Sequence, residues 1–140
     1  MFTLSAPLPS KKSCTTAQSI IDMMKDIPPD ARKSLTLDNG GEFAKHGEVF
    51  KVLGIQSFFC DPYASWQKGG IENTNGRLRR DLPRNTNIKA MNLEDFDENI
   101  DNYNSTPRKS LNWMSPIEMF NKNLSRVVCY LLLVFLRYAI

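Results

Sequence analysis

A turn signal directly after a short β-leaning run limits most strongly how this chain can fold. Residues 34–37 read SLTL, and Asp38-Asn39-Gly40 follows at once. Asp, Asn and Gly in succession are typical of a tight turn at a strand end, because the short polar side chains bond their own backbone. The pattern therefore predicts that Asp38 lies at the carboxyl edge of a strand.

Strand-like and helical patterns alternate along the first half of the chain. Strands are predicted for residues 2–8, 34–37 and 55–59, and helices for residues 15–25 and 42–53. In the second of these helices Phe43, Val49, Phe50 and Leu53 are expected to point inward, and Gly54 to end it. The order strand, helix, strand, helix, strand indicates an α/β sheet.

Three further helices are predicted, for residues 71–80, 93–103 and 116–124. The last one has the clearest start, because Ser115, Pro116 and Glu118 form a capping box with Pro at the first helical position. These patterns favour one domain with a helical C-terminal extension.

The C-terminal residues 127–140 are almost wholly apolar but are shorter than the ~20 residues that span a bilayer, and they contain Arg137. We therefore expect a buried or disordered tail and no membrane partner.

Cys14, Cys60 and Cys129 are odd in number and far apart, which supports neither a disulfide framework nor a zinc site. No secretory leader is recognisable. A reducing, cytoplasmic location is the expectation.

The formal net charge is +3, and the positive excess is concentrated in one segment. Between residues 68 and 84, only Glu72 and Asp81 oppose a set of five cations: Lys68, Arg77, Arg79, Arg80 and Arg84. Cationic side chains clustered in this way suit a nucleic-acid partner. We expect DNA to bind here.

Two carboxylates from distant parts of the chain, Asp38 and Glu72, are candidates for a metal site. Mg²⁺ takes oxygen ligands and is usually held by one or two carboxylates together with substrate phosphates. Spacing alone is a weak argument, because fifteen acidic residues provide many such pairs. A turn-forming Asp38 and a solvated Glu72 explain the same pattern.

Four stretches carry a more specific signal. Residues 36–43 read TLDNGGEF, residues 61–76 DPYASWQKGGIENTNG, residues 106–111 TPRKSL and residues 115–120 SPIEMF. In these motifs and their order, residues 2–124 resemble the transposases of the insertion sequence 30 family, a branch of the DDE integrase superfamily. The resemblance implies an RNase H-like (ribonuclease H-like) integrase catalytic core with Asp38 and Glu72 as catalytic carboxylates and metal ligands. It also implies two Mg²⁺ (or Mn²⁺) ions in the complete enzyme, and DNA, both transposon ends and target, as partner.

Helical geometry can be combined with this resemblance. At 3.6 residues per turn, Glu72, Asn75, Gly76 and Arg79 share one helix face, and the resemblance gives Arg79 the place of the family's basic residue. DNA contacts are expected from six residues: Arg79, Lys68, Arg77, Arg80, Asn75 and Trp66. Trp66 and Tyr63 suit base stacking, although packing onto the core explains them equally well. His46 and Glu42 are interpreted as structural.

The family's first catalytic Asp has no counterpart on a strand, because Asp22, Asp26 and Asp30 all fall in or after the first helix. The resemblance therefore predicts an N-terminally truncated core in residues 1–124 with an incomplete sheet, and an apolar tail in residues 125–140 foreign to the family. We therefore expect this chain alone to be catalytically inactive. We expect the flank of residues 2–7 to expose unpaired backbone groups, a template for aggregation. One alternative is a catalytically dead fragment that binds DNA or dimerises, and the other is a related nuclease. A homo-oligomer is compatible with the transposase interpretation and with the dead fragment.

Overall fold

The computed structural model describes residues 2–62, 64–83, 85–87, 90–124 and 132–133. Its strands are β1 (Thr3–Leu4), β2 (Ser34–Leu37), β3 (Gln56–Phe59) and β4 (Leu132–Leu133), and its α-helices are α1 (Ser13–Met24), α2 (His46–Leu53), α3 (Gly69–Asp81), α4 (Leu93–Ser105) and α5 (Pro116–Leu124). The chain divides into two units, Leu8–Gly69 and the pair of segments Met1–Pro7 and Gly70–Ile140. Helix and strand are thus mixed.

The unit Leu8–Gly69 is built on a parallel strand pair. β2 pairs with β3 in the register Ser34 to Gln56 through Leu37 to Phe59, and α2 lies between them in the sequence. Parallel strands need such a crossover connection. Along β2 Leu35 and Leu37 are buried and their neighbours exposed, the alternation expected of a half-buried strand. Helix α1 packs against α2.

The other unit is centred on the packing of α3 against α4. Its core is one apolar cluster, with Met91 half-buried against it: Leu78, Leu82, Phe96, Ile100 and Tyr103. Helix α5 begins at the predicted capping box, where the Ser115 backbone N–H and hydroxyl donate to Glu118 Oε2 at 2.7 and 2.9 Å. The bond from the Ser115 N–H, followed by that from its hydroxyl, lowers the pKa of the Glu118 carboxyl below its ordinary value.

In strand β1 the backbone N–H and C=O of Thr3 are both occupied. The strand pairs in parallel with β4, and the buried Asn104 side chain bonds Thr3 twice, accepting from its N–H at 2.9 Å and donating to its C=O at 2.8 Å. The expected open flank is therefore wrong at Thr3. Most of the apolar tail, including Cys129 and Arg137, lies outside the described residues, so its predicted character stays a prediction.

The sequence predictions are confirmed at several elements and wrong at others. β2 and α5 have the predicted bounds, and Gly54 ends α2 with φ 68°. In the part of the chain described, β1 pairs with β4 and β2 with β3, so a single sheet that joins these strands stays a prediction. Phe50 is 54% exposed rather than inward. A 3₁₀ turn at Gly41–Phe43 precedes α2 and breaks the helical period that would have aligned Phe50 with Phe43.

Among the described residues, no helix combines the length and the apolar character required to cross a bilayer.

Candidate active site

Asp38 directly follows β2, as predicted, in a turn that hydrogen bonds fix. Its Oδ1 accepts the Gly40 N–H at 3.0 Å. The next side chain, Asn39, donates to the Cys60 carbonyl at 2.8 Å, while the Cys60 N–H donates to the Leu37 carbonyl at 2.9 Å. Since Cys60 follows β3, the turn is held by both strands of the pair. The half-buried Asp38 carboxylate is thus positioned by regular structure.

The carboxylates of Asp38 and Glu42 approach each other over Gly40. A Cβ atom added to Gly40 would lie 2.5 Å from Glu42 Oε2 and 2.8 Å from Asp38 Oδ1, closer than side chains tolerate. A Cβ atom added to the adjacent Gly41 would meet no atom within 4 Å. Gly40 therefore leaves the space that the ends of the Asp38 and Glu42 side chains occupy.

In the other unit, Glu72 lies in the first turn of α3 and is exposed. A glutamate there is favoured by the partial positive charge of a helix N-terminus. The opposite face of α3 carries Thr74 and Leu78, which are 2% and 1% exposed. The buried face thus fixes the rotation of the helix and directs Glu72 away from the core of its own unit.

The predicted DNA-binding residues of α3 divide into two groups. Arg77, Arg79 and Arg80 are exposed together with Glu72 and Gly76, and their contact with DNA stays a prediction. Arg77 donates from Nε to Asn73 Oδ1 at 3.0 Å, one helical turn earlier. Asn75 differs, since it is half-buried, and among the described residues its buried Oδ1 has no hydrogen-bond partner.

Helix α3 is attached to α4 by a polar chain close to Glu72. The Tyr103 hydroxyl donates to Thr74 Oγ1 at 3.0 Å and accepts from Arg108 Nη1 at 3.0 Å. Arg108 Nη2 also donates to the Tyr103 carbonyl at 3.0 Å, and its guanidinium carbon lies 4.1 Å from the centre of the Tyr103 ring. Thr74 lies two positions after Glu72 in the sequence, so these hydrogen bonds help to fix the part of α3 that carries the carboxylate.

The loop before α3 is closed by a reciprocal pair. The Asp61 N–H donates to Gln67 Oε1 and Gln67 Nε2 donates to Asp61 Oδ2, both at 3.0 Å. Trp66 stands on this loop with 78% of its surface exposed, so packing onto the core does not account for it. The Lys68 side chain, Tyr63 and Arg84 lie outside the described residues, and their predicted roles stay predictions.

Asp38 belongs to the unit Leu8–Gly69 and Glu72 to the other unit, so their convergence stays a prediction. In the described ranges no three His, Cys, Asp or Glu side chains are grouped to hold a metal ion. The donor set at the Asp38 turn nevertheless fits Mg²⁺, because one or two carboxylates together with substrate phosphates are its usual ligands.

Sequence reasoning missed the roles of Glu42, Tyr103 and Arg108. The Gly-Gly pair before Glu42 was a usable signal, since a Cβ at the first of these glycines would displace the ends of the Asp38 and Glu42 side chains. Arg108 stood within the quoted TPRKSL motif, but its partner Tyr103 was not identifiable from local pattern. Asp22 lies in α1 and Asp30 in the 3₁₀ helix Pro29–Ala31, so neither is on a strand.

No protein-family model matches the sequence. Several bacterial transposases do resemble it. Over 116 residues it is 35% identical to the transposase of insertion sequence element IS1086 from Cupriavidus metallidurans, a match that covers 83% of this chain and 34% of the relative. Over 124 residues it is 34% identical to transposase InsI of insertion sequence element IS30A from Escherichia coli, covering 89% of this chain and 32% of the relative.

A third relative is the transposase of insertion sequence element IS4351 from Bacteroides fragilis, 38% identical over 89 residues, or 64% of this chain and 27% of the relative. The chain spans about one third of the length of the first two relatives, namely 34% and 32%. Similarity to several transposases of one kind, over most of its length, shows that this chain belongs to the insertion sequence 30 family of transposases.

Proposed function

We propose that this chain takes part in DNA transposition and contributes Asp38 and Glu72 to the site at which a DDE transposase cleaves and joins DNA strands. The observation that carries the proposal is the Asp38 turn, which is held at the carboxyl ends of two parallel strands by bonds from Asn39 and Cys60. A carboxylate fixed in this way needs little reorganisation when a substrate binds. Family membership supplies the reaction class.

The proposal includes an RNase H-like integrase core. The parallel pair β2 and β3 with its intervening helix α2 supports it, since this is one repeating unit of an α/β sheet. Helix α1 packs against α2, so a second helix belongs to that unit. The remaining strands of such a core are part of the proposal.

Mg²⁺ or Mn²⁺ would be held by Asp38 and Glu72, with the Glu42 carboxylate beside Asp38. When bound, two such ions would lower the pKa of the attacking hydroxyl and stabilise the leaving oxygen. The chain's own residues prepare this site. Asn39 and the Gly40 N–H orient the Asp38 turn, the absence of a Gly40 side chain leaves room for two carboxylates, and the buried face of α3 holds Glu72 outward.

DNA would lie along the exposed face of α3. Arg79 and Arg80 in its last turn offer guanidinium groups to phosphate, for which their planar fork of donors is well suited. Trp66, exposed on the preceding loop, would stack on a base. Arg77 is tied to Asn73 and would reach phosphate only after giving up that bond.

Metal binding by the full 140-residue chain tests the carboxylate assignment. Mn²⁺ titration followed by electron paramagnetic resonance should show weaker binding for Asp38→Asn and for Glu72→Gln than for the parent chain. Glu98→Gln, an exposed carboxylate of α4, is the matched control and should bind as the parent does. If both site variants retained the parent's affinity, with folding verified by circular dichroism, the assignment would be wrong.

A second candidate is DNA binding or dimerisation without cleavage. It is favoured by the position of Asp22 and Asp30 on helices, and by the lack, within the described ranges, of a group of three potential ligands. Supercoiled plasmid separates the two candidates. Mn²⁺-dependent nicking that Glu72→Gln abolishes supports catalysis, whereas salt-sensitive DNA binding without nicking supports the second candidate.

A further inference from the structure

Trp113 is exposed on a loop whose backbone is left-handed. It follows the 3₁₀ helix Lys109–Leu111, and 71% of its surface is accessible. Its φ is 64° and that of Asn112 is 54°, and in the described part of the chain no other non-glycine residue has a positive φ. Asn adopts this conformation readily, but for a bulky residue such as Trp it is strained. Strain of this kind often marks a functional position.

The exposure of Trp113 does not come from a loosely held loop. The Trp113 N–H donates to the Arg108 carbonyl at 3.0 Å, and the Arg108 N–H donates to the Met114 carbonyl at 3.1 Å. These bonds tie the two ends of the loop together. The Arg108 guanidinium is in turn bonded to Tyr103 in the core of its unit. A fixed framework therefore presents the indole to solvent.

The neighbours of Trp113 indicate what it can bind. Lys109, Ser110 and Asn112 are all exposed. Residues 106–117 contain two cations and no Asp or Glu, and the five carboxylates of α4 precede Tyr103 in the sequence. A protein interface has an apolar core of many residues, whereas a single aromatic ring among polar and cationic groups suits a nucleobase with its phosphate.

We propose that Trp113 is a stacking platform for an unpaired DNA base, with Lys109 contacting the adjacent phosphate. This inference rests on the DNA binding included in the proposed function and adds a contact outside the α3 face. Single-stranded DNA is the expected ligand, because a base within a duplex is already stacked on its neighbours. Stacking lost on removal of the ring should weaken binding about 5- to 150-fold.

Fluorescence of the full chain provides the test, because the chain has two tryptophans. In Trp66→Phe the remaining emission comes from Trp113, and titration with an oligothymidylate of about 12 nucleotides should quench it. Anisotropy of a labelled oligonucleotide measures total affinity in parallel. Trp113→Gly should lower that affinity while leaving the chain folded, since Gly accepts a positive φ without strain. Trp113→Phe should retain most of the affinity.

Each result decides between specific alternatives. Quenching together with at least fivefold weaker binding by Trp113→Gly supports the inference. Oligonucleotide binding with unchanged Trp113 emission and equal affinity of the Gly variant overturns it and leaves the proposed DNA binding intact. A parent chain that binds no DNA overturns both. If Trp113→Gly changed self-association measured by analytical ultracentrifugation, but not DNA affinity, the loop would be a protein interface.

Discussion

The Tyr103 hydroxyl and Thr74 Oγ1 form a hydrogen bond of 3.0 Å that joins α4 to α3. Both residues are buried, and the same hydroxyl accepts from Arg108. Tyr103→Phe would leave the Thr74 hydroxyl and one guanidinium N–H without this partner. The free energy of unfolding, measured in urea, should fall by about 1–3 kcal/mol, the cost of an unsatisfied buried polar group.

Thr74→Val completes a double-mutant cycle on this contact. If the bond contributes directly, the double variant should lose less stability than the sum of the single variants, with a coupling of about 0.5–3 kcal/mol. Strictly additive losses would mean that the two residues act independently.

A second prediction concerns the space above Gly40. Gly40→Ala would displace the Asp38 and Glu42 carboxylates, and we expect Mn²⁺ affinity to fall by about tenfold, in the range found when the support of a metal ligand is altered. Thermal stability should change little, since the clashing atoms are the ends of side chains. Gly41→Ala meets no atom within 4 Å and is the matched control. Equal affinities for the two variants would contradict the prediction.

The third prediction separates Arg79 from general surface charge. Contacts between cations and phosphates release counterions, so each lost contact should reduce the log–log slope of affinity against salt by about 1. Arg79→Ala should reduce the slope, measured by fluorescence anisotropy between low and physiological salt, more than Lys122→Ala on α5. The same slope for both would reduce the Arg79 assignment to overall charge.

The fourth prediction is a pH dependence at the start of α5. Hydrogen bonds from Ser115 lower the pKa of Glu118 in the folded chain, so Glu118 stabilises the fold above its unfolded pKa, and this contribution is lost as the pH falls through the lowered folded pKa. Glu118→Gln should therefore be less stable than the parent at pH 7, and the difference should shrink below about pH 4. Thermal melts from pH 7 to pH 3 measure it. A difference that stayed constant with pH would show that ionisation is irrelevant.

Local signals account for what the sequence predicted well. β2 and α5 have the predicted bounds because Asp38-Asn39-Gly40 and Ser115-Pro116 specify a strand end and a helix start through bonds to nearby backbone. The Phe50 prediction was wrong because the 3₁₀ turn before α2 changes the helical phase, and the pattern of apolar residues alone does not reveal such a turn.

Contacts between distant residues were the part that local pattern could not predict. Tyr103 meets Thr74 across 29 residues, and Asn104 meets Thr3 across 101 residues. Each partner is a polar residue that, read locally, is an ordinary helix or strand position. Their burial and pairing depend on how distant segments pack together. The pattern of apolar residues within one segment does not predict that packing.

The two bonds between Asn104 and Thr3 imply that this edge of β1 is closed to strand exchange. In a strand the N–H and C=O of one residue point to the same side, where an added antiparallel strand would engage both. The Asn104 amide already satisfies both groups. Any polypeptide seeking to extend β1 from that side would have to expel a buried side chain before forming its first pair of bonds. The Asn104 side chain therefore opposes the addition of another strand, and so β-mediated polymerisation, at Thr3.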